Sequence, residues 1–149
     1  ASTFSPDAAM TRAMMVTILW RMEKEPAALK SNFTDLTADW YRTAVDWAAE
    51  TGVVNGVGNG KFAPNATLSL EQLITILYRY AENKGYNVSK SASLDSFTDG
   101  SAVSAYAKPA MQWAVGMNFL SGNTLTPGAP ASRAQIAQVL MLFCKAYIK

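Results

Sequence analysis

Residues 62–77 read Phe-Ala-Pro-Asn-Ala-Thr-Leu-Ser-Leu-Glu-Gln-Leu-Ile-Thr-Ile-Leu, and related segments occur at two other places in the chain. In each copy a phenylalanine or leucine precedes a small residue and a proline, and a hydroxyl residue follows five positions after the proline. The other copies begin at Phe4-Ser5-Pro6 and at Leu125-Thr126-Pro127. Recurrence at a fixed internal spacing indicates a repeat protein.

A second motif precedes two of these copies. It begins Phe33-Thr34-Asp35 and runs through a Trp-Ala segment to Gly52–Gly56, and its counterpart begins Phe97-Thr98-Asp99 and runs to Gly122. Together the two motifs define a repeat of about sixty residues. The second motif has no copy before Phe4, so the first of three repeats is represented by its second half.

Each repeat is predicted to contain a short helix, a turn-rich loop and a longer helix. Hydroxyl side chains at Thr11, Ser69 and Ser132 are placed to cap the long helices, and Gln72 and Gln135 complete capping boxes with the two serines. Apolar residues then recur at helical spacing in all three long helices. The pattern predicts an all-α protein.

Helix ends are also marked. Gly52 and Gly85 suit positions after a helix, and Asn118 stands where the later repeat lacks the glycine. Pro109 is tolerated only in a first helical turn, so we expect that short helix to begin near Ala107.

Composition narrows the class of function. The 149 residues include 13 basic and 11 acidic side chains, giving a net charge of +2 without the basic clusters that nucleic acid requires. Histidine is absent and Cys144 is the only cysteine, which leaves no evident general base, metal site or disulfide. We therefore expect no cofactor and no membrane span, and an enzyme is the weakest hypothesis.

The order Phe-x-Asp, Trp-Ala helix, glycine-rich turn, Phe-x-Pro and Thr-Arg-Ala helix start resembles the S-layer homology (SLH) motif. The resemblance predicts one domain over residues 1–149, with a partial repeat at 1–30 and further repeats at 31–88 and 94–149. It implies a pseudo-threefold helical bundle whose first repeat is truncated. It also implies that grooves between repeats bind acidic polysaccharide of a bacterial cell wall.

By the same resemblance, the arginine of the Thr-Arg-Ala motif contacts a negatively charged sugar. Arg12 follows Thr11, and Arg133 follows Ser132, so these four residues are candidate ligand contacts. The middle repeat has Leu70 at the arginine position, which predicts that its groove has lost this contact. The alternative for both arginines is a solvated residue in a first helical turn, where the helix dipole does not favour a cation.

The aromatic and acidic candidates also have two interpretations. Trp40 opens a short helix and is a candidate groove wall, whereas the helical spacing of Trp47 and Trp113 favours core packing over stacking on a sugar. Asp35 and Asp99 match the aspartate of the family motif and are candidate site residues. Their alternative role is to accept hydrogen bonds from backbone amides in a turn or cap.

The chain is thus predicted to be a secreted, non-catalytic module that anchors a protein to the bacterial cell surface. The alternative is a structural assembly module whose glycan grooves have degenerated, favoured by Leu70. We also expect exposed apolar surface on the first long helix, covered by a further segment of a longer protein or by another subunit.

Overall fold

The computed structural model describes residues 8–148, which contain five α-helices and no β-sheet. The helices predicted as short are α2 (Asp39–Thr51) and α4 (Lys108–Gly116), and those predicted as long are α1 (Arg12–Met22), α3 (Leu70–Asn83) and α5 (Arg133–Tyr147). We keep the names short and long for these two sets, although α2 has 13 residues and α1 only 11. Two 3-10 helices, Gly100–Ala102 and Ala105–Ala107, lead into α4. The predicted all-α class is confirmed, and the motif Phe4-Ser5-Pro6 lies outside the described residues.

The described residues form two compact units. Residues 10–67 make up one unit, in which α1 packs against α2. Residues 8–9 and 68–148 make up the other, in which α3 packs against α4 and which also contains α5. Each pairing joins the long helix of one repeat to the short helix of the next. A single domain over residues 1–149 stays a prediction.

The three long helices begin as their sequences predict. The side chain of Thr11 accepts a hydrogen bond from the Met14 amide, and Ser69 and Ser132 form complete capping boxes with glutamines. The first residue of each helix then donates its amide to an alanine three positions before a cap. These bonds run from Arg12 to Ala66, from Leu70 to Ala129 and from Arg133 to Ala8. The third bond joins the start of α5 to the segment just before the first cap.

The short helices end in left-handed backbone and pack through tryptophan. Gly52 and Asn118 both have positive φ, as their positions after the helices predicted, and Pro109 lies in the first turn of α4. Trp47 and Trp113 are both buried, which confirms core packing for these two residues. Cys144, in contrast, is half-buried.

The expectation that the first long helix exposes apolar surface is wrong. Met15, Val16 and Leu19 are buried in α1, because the following short helix packs against it. Exposed apolar residues lie on α5 instead, where Met141 is 49% exposed. The order of the motifs along the sequence did not show which long helix would expose apolar residues.

Candidate functional site

Arg12 lies at the first position of α1, and backbone carbonyls of the second repeat fix its side chain. Its Nε donates to the Phe62 oxygen at 2.9 Å and its Nη2 donates to the Asn55 oxygen at 2.7 Å. The guanidinium carbon lies 4.7 Å from the centre of the Phe62 ring, within range of a cation–π interaction. These contacts hold the guanidinium in one orientation, so Arg12 is not the freely solvated residue of the alternative interpretation.

The charge of Arg12 is partly desolvated. Burial lowers the pKa of Arg12 below its ordinary value, and the nearby carboxylate of Asp35 partly offsets this by raising it. An arginine nevertheless stays protonated under all ordinary conditions. The start of α1 therefore carries a fixed positive charge in a partly water-excluded place.

The motif aspartates bind backbone amides of the loop that precedes the next long helix. Asp35 accepts from the Phe62 amide at 2.9 Å and from the Ala63 amide at 2.8 Å. Asp99 accepts from Leu125 and Thr126, each at 2.8 Å. Both aspartates therefore accept hydrogen bonds from backbone amides, which was the alternative role predicted for them. The amides, however, lie about 27 residues away in sequence and not in a local turn.

These bonds change the acidity of both carboxyl groups. Desolvation raises the pKa of Asp35, but the amides of Phe62 and Ala63 and the charge of Lys61 bring it below the ordinary 3.8. The amides of Leu125 and Thr126 likewise hold the pKa of Asp99 below 3.8. A carboxyl group whose pKa is lowered by folding stabilises the protein when ionised.

We expect the free energy of unfolding to be steady above the unfolded pKa of these aspartates and to fall as the pH drops through their lower folded values. Urea titrations between about pH 7 and pH 2 measure this loss. Asp35→Asn should reduce stability at neutral pH and flatten the acid branch. Asp95→Asn, at an exposed position, is the control, and an acid branch unchanged by Asp35→Asn would contradict the assignment.

The middle repeat has a different arrangement at the corresponding place. Leu70, at the arginine position, is 3% exposed, and the adjacent Glu71 is 6% exposed. The Glu71 carboxylate accepts from the amide and the hydroxyl of Ser104, at 2.9 and 2.5 Å, and lies 3.4 Å from the Tyr106 hydroxyl. A carboxylate held here disfavours an acidic ligand, which agrees with the prediction that this groove lacks the arginine contact.

Arg133 begins α5 and is half-buried. Beside it, Ser132 borders a groove of about 350 Å³. Phe119, Leu120 and Ser121 form one wall of this groove, and Gln135 and Gln138 of α5 lie on the other. In the third repeat the groove is lined by Ser132, which precedes the arginine, and not by Arg133 itself.

Exposed aromatic rings lie in the first turn of α2 and in the 3-10 helix that precedes α4. Trp40 is 51% exposed and makes an edge contact with Tyr41, with ring centres 5.0 Å apart. Tyr106 is 56% exposed and lies seven residues before Trp113, just as Trp40 lies seven before Trp47. Trp40 was predicted as a groove wall from the sequence, whereas Tyr106 was not predicted. An alignment of the two repeats on their aspartates does not match Tyr106 to Trp40, because the loop after Asp99 is two residues longer than the loop after Asp35. An alignment on the buried tryptophans does match them.

Comparison with known proteins agrees with this repeat structure. The family model for the S-layer homology domain matches residues 32–74 and 96–137, more than half of the chain. An endoglucanase of Bacillus sp. (strain KSM-635) is 32% identical over 94% of this chain and 15% of its own length. The surface-layer 125 kDa protein of Lysinibacillus sphaericus is 32% identical over 91% of this chain and 12% of its own length.

The chain belongs to the S-layer homology family. Domains of this family are non-catalytic modules that attach proteins to the bacterial cell surface, and this chain is a module of that kind, located at the cell surface or cell wall. A cell surface protein of Thermoanaerobacter kivui is also similar, with 34% identity over 51% of this chain and 11% of its own length. The chain spans only 11–15% of these three curated relatives.

Residues 8–148 contain neither a candidate membrane span nor a candidate metal site. No helix in that range is long and apolar enough to cross a membrane. No group of acidic or cysteine side chains there is arranged to hold a metal ion.

Proposed function

We propose that this module binds an acidic polysaccharide of the bacterial cell wall and that Arg12 is its principal ligand contact. The observation that carries the proposal is the fixed guanidinium, held by the Phe62 and Asn55 oxygens and the Phe62 ring. Its remaining N–H groups are not committed to any residue in the described part of the chain. An oriented guanidinium with donors to spare is suited to a carboxylate on a sugar.

The surroundings of Arg12 support an anionic ligand. Asp35 is the nearby carboxylate, and its oxygens are already engaged by two backbone amides. Arg12 stands at the N-terminus of α1, whose dipole also favours an anion. In the same unit, Trp40 offers an exposed ring of the kind that packs on the apolar face of a sugar.

The third repeat has a candidate ligand contact of its own, and the middle repeat has none. Arg133 and Ser132, beside the groove at the start of α5, are the second candidate contact. Leu70 and Glu71 replace the cation by an apolar residue and a carboxylate, so the middle repeat contributes nothing to acidic-ligand binding. We therefore propose at most two competent sites, of which the Arg12 site is the better formed.

Arg12→Ala should weaken retention on purified cell-wall sacculi by about 10- to 100-fold, since hydrogen bonds to a charged group contribute about 1.5–3 kcal/mol. Arg12→Lys should recover little, because an ammonium lacks the planar pair of donors. Arg21→Ala removes the same charge from an exposed position on α1 and is the matched control. Retention is measured by co-sedimentation before and after chemical removal of the acidic groups.

Circular dichroism of each variant separates binding from folding, because Arg12 also donates to two carbonyls of its own unit. Equal retention of a folded Arg12→Ala chain and the wild type would refute the proposed contact. Arg133→Ala tests the second site in the same assay. Loss of retention in that variant alone would shift the principal site to the third repeat.

The second candidate function is an assembly module that binds protein rather than glycan. The buried Glu71 carboxylate favours it, because the start of α3 carries an acidic side chain bound to Ser104 in place of an arginine free to bind an acidic ligand. Retention that persists on sacculi stripped of polysaccharide, and in Arg12→Ala, would support this function over the first.

A further inference from the structure

The turn after α2, which supplies an oxygen to Arg12, contains two Asn-Gly pairs. They are Asn55-Gly56 and Asn59-Gly60, and all four residues are exposed. Asparagine is chemically labile in proteins, and a following glycine favours its deamidation because no side chain hinders the glycine backbone nitrogen. The turn therefore contains two candidate sites at which the chain can modify itself.

The second pair is held in a tight hairpin. Asn59 and Gly60 both have positive φ, and the Lys61 amide donates to the Gly58 oxygen at 3.0 Å. This is the geometry of a type I′ turn, which Asn-Gly sequences favour. The Thr34 amide also donates to the Gly60 oxygen, at 2.9 Å. The hairpin therefore resists the backbone rotation that ring closure between Asn59 and Gly60 requires.

The first pair is held through its carbonyl oxygen, and the group that holds it is a cation. The Nη2 of Arg12 donates to the Asn55 oxygen at 2.7 Å. In the part of the chain that the structure describes, neither the Gly56 amide nor the Asn55 side chain makes a hydrogen bond. The two groups that react in deamidation are therefore not committed elsewhere.

We propose that Asn55-Gly56 is a self-modification site, at which Arg12 promotes deamidation and is then neutralised by the carboxylate that forms. A guanidinium paired with a carboxylate of its own chain has fewer donors for an acidic ligand. Deamidation therefore lowers the affinity of the module as the chain ages. This loss of affinity rests on the proposed function of Arg12, whereas the deamidation itself does not.

The reaction begins when the Gly56 nitrogen loses its proton to hydroxide and attacks the side-chain carbon Cγ of Asn55. A bond forms between this nitrogen and Cγ, the bond from Cγ to Nδ2 breaks, and Nδ2 leaves as ammonia with a proton from water. Loss of the peptide proton places negative charge on the Asn55 carbonyl oxygen, the atom that Arg12 binds. A fixed cation aimed at developing charge lowers the barrier to such a step.

Water then opens the five-membered ring at one of its two carbonyl carbons. Cleavage between the Gly56 nitrogen and Cγ leaves an aspartate. Cleavage between the same nitrogen and the main-chain carbonyl carbon leaves an isoaspartate, whose chain runs through the former side chain. In the isoaspartate, the oxygen that Arg12 held has become part of a free carboxylate. The neutral acceptor of Arg12 is thus replaced by an anion.

The first test follows deamidation of the 149-residue chain in mildly alkaline buffer. The tryptic peptide 43–61 contains both pairs, so its fragment masses distinguish Asn55 from Asn59, and an isoaspartyl methyltransferase detects isoaspartate. Asn55 should react about tenfold faster than Asn59, and Arg12→Ala should slow Asn55 by about tenfold without changing Asn59. Equal rates at the two asparagines of the wild type, or an undiminished rate at Asn55 in Arg12→Ala, overturn the proposal.

The second test measures retention on sacculi. Asn55→Asp should weaken retention by about tenfold, and the incubated wild type should lose retention in step with modification of Asn55. Asn59→Asp adds the same charge to the same turn and is the matched control. Asn55→Gln keeps an amide but cannot close a five-membered ring, so its retention should survive incubation. Gly56→Ala is unsuitable, because its Cβ would lie 2.6 Å from the Phe33 ring.

Failure of this inference and failure of the proposed function give different results. If Arg12→Ala weakens retention but complete deamidation of Asn55 does not, the neutralisation of Arg12 is overturned. If Arg12→Ala is retained normally, the proposed function and the loss of affinity both fail. Faster deamidation of Asn55 than of Asn59 in the wild type still supports the self-modification in that case, and this comparison does not depend on the folding of any variant.

Discussion

Replacing Trp113 with alanine is expected to lower the free energy of unfolding by about 3–5 kcal/mol, the usual range for a buried tryptophan. Trp113 is 1% exposed and is surrounded by aromatic rings, and its indole N–H donates to the Tyr147 hydroxyl at 3.1 Å. Ring centres of Tyr78 and Phe119 lie 5.3 Å from its own. The substitution therefore removes packing and leaves a cavity, while the Tyr147 hydroxyl loses one donor and keeps its hydrogen bond to the Asn87 oxygen.

Trp40→Ala is the matched control for this measurement. The residue type is the same and each tryptophan belongs to the short-helix half of a repeat, but half of the Trp40 side chain is already exposed. Its loss should cost about 0.5 kcal/mol or less, as is usual for surface changes. Urea unfolding followed by circular dichroism gives both values. Similar losses for the two variants would contradict the distinction between core and exposed tryptophan.

Replacing Phe62 with alanine should cost a comparable amount, about 3–5 kcal/mol, because its side chain is fully buried. It also supports the candidate site, since it lies beneath the Arg12 guanidinium and meets the edge of Phe33 with ring centres 5.3 Å apart. A leucine stands at the corresponding position 125 of the third repeat. Phe62→Leu should therefore retain most of the stability, with a loss of about 1.5 kcal/mol or less.

The leucine variant separates the stability of the unit from the orientation of Arg12. Without a ring beneath the guanidinium, about 0.5–1 kcal/mol of cation–π interaction is lost, so retention on sacculi should fall by about two- to fivefold. In an Arg12→Ala background the same change should have no further effect on retention. An additive loss in the double variant would mean that Phe62 affects the ligand by another route.

The first turns of the three long helices carry different side chains, and this difference limits the number of ligand sites. Arg12 is held in place by the repeat that follows it, and Glu71 is held by Ser104 of the next repeat in the same manner. In both cases the start of a long helix is joined to the following half-repeat. Arg133 begins α5, beside the groove that Ser132 and Gln135 line.

Much of the fold was predictable because its signals are local. The capping residues Ser69 and Ser132 and the left-handed positions at Gly52 and Asn118 follow from interactions within a few residues. The roles of Asp35 and Asp99 were only half predictable. Amide acceptance is a standard function of aspartate, but the particular amides are brought close by the return of the chain through a whole short helix.

The amino-acid sequence by itself determined the repeat, the helices and the family, since each depends on spacing along the chain. It also located the loss of the arginine at Leu70. Only the tertiary structure decided that Arg12 is clamped by two carbonyls, that Glu71 is buried against Ser104, and that α5 rather than α1 exposes apolar residues. The physical reason is that α1 and α3 each pack against the short helix that follows them. Contacts between segments distant in sequence therefore decide which surface is covered and which remains free to bind.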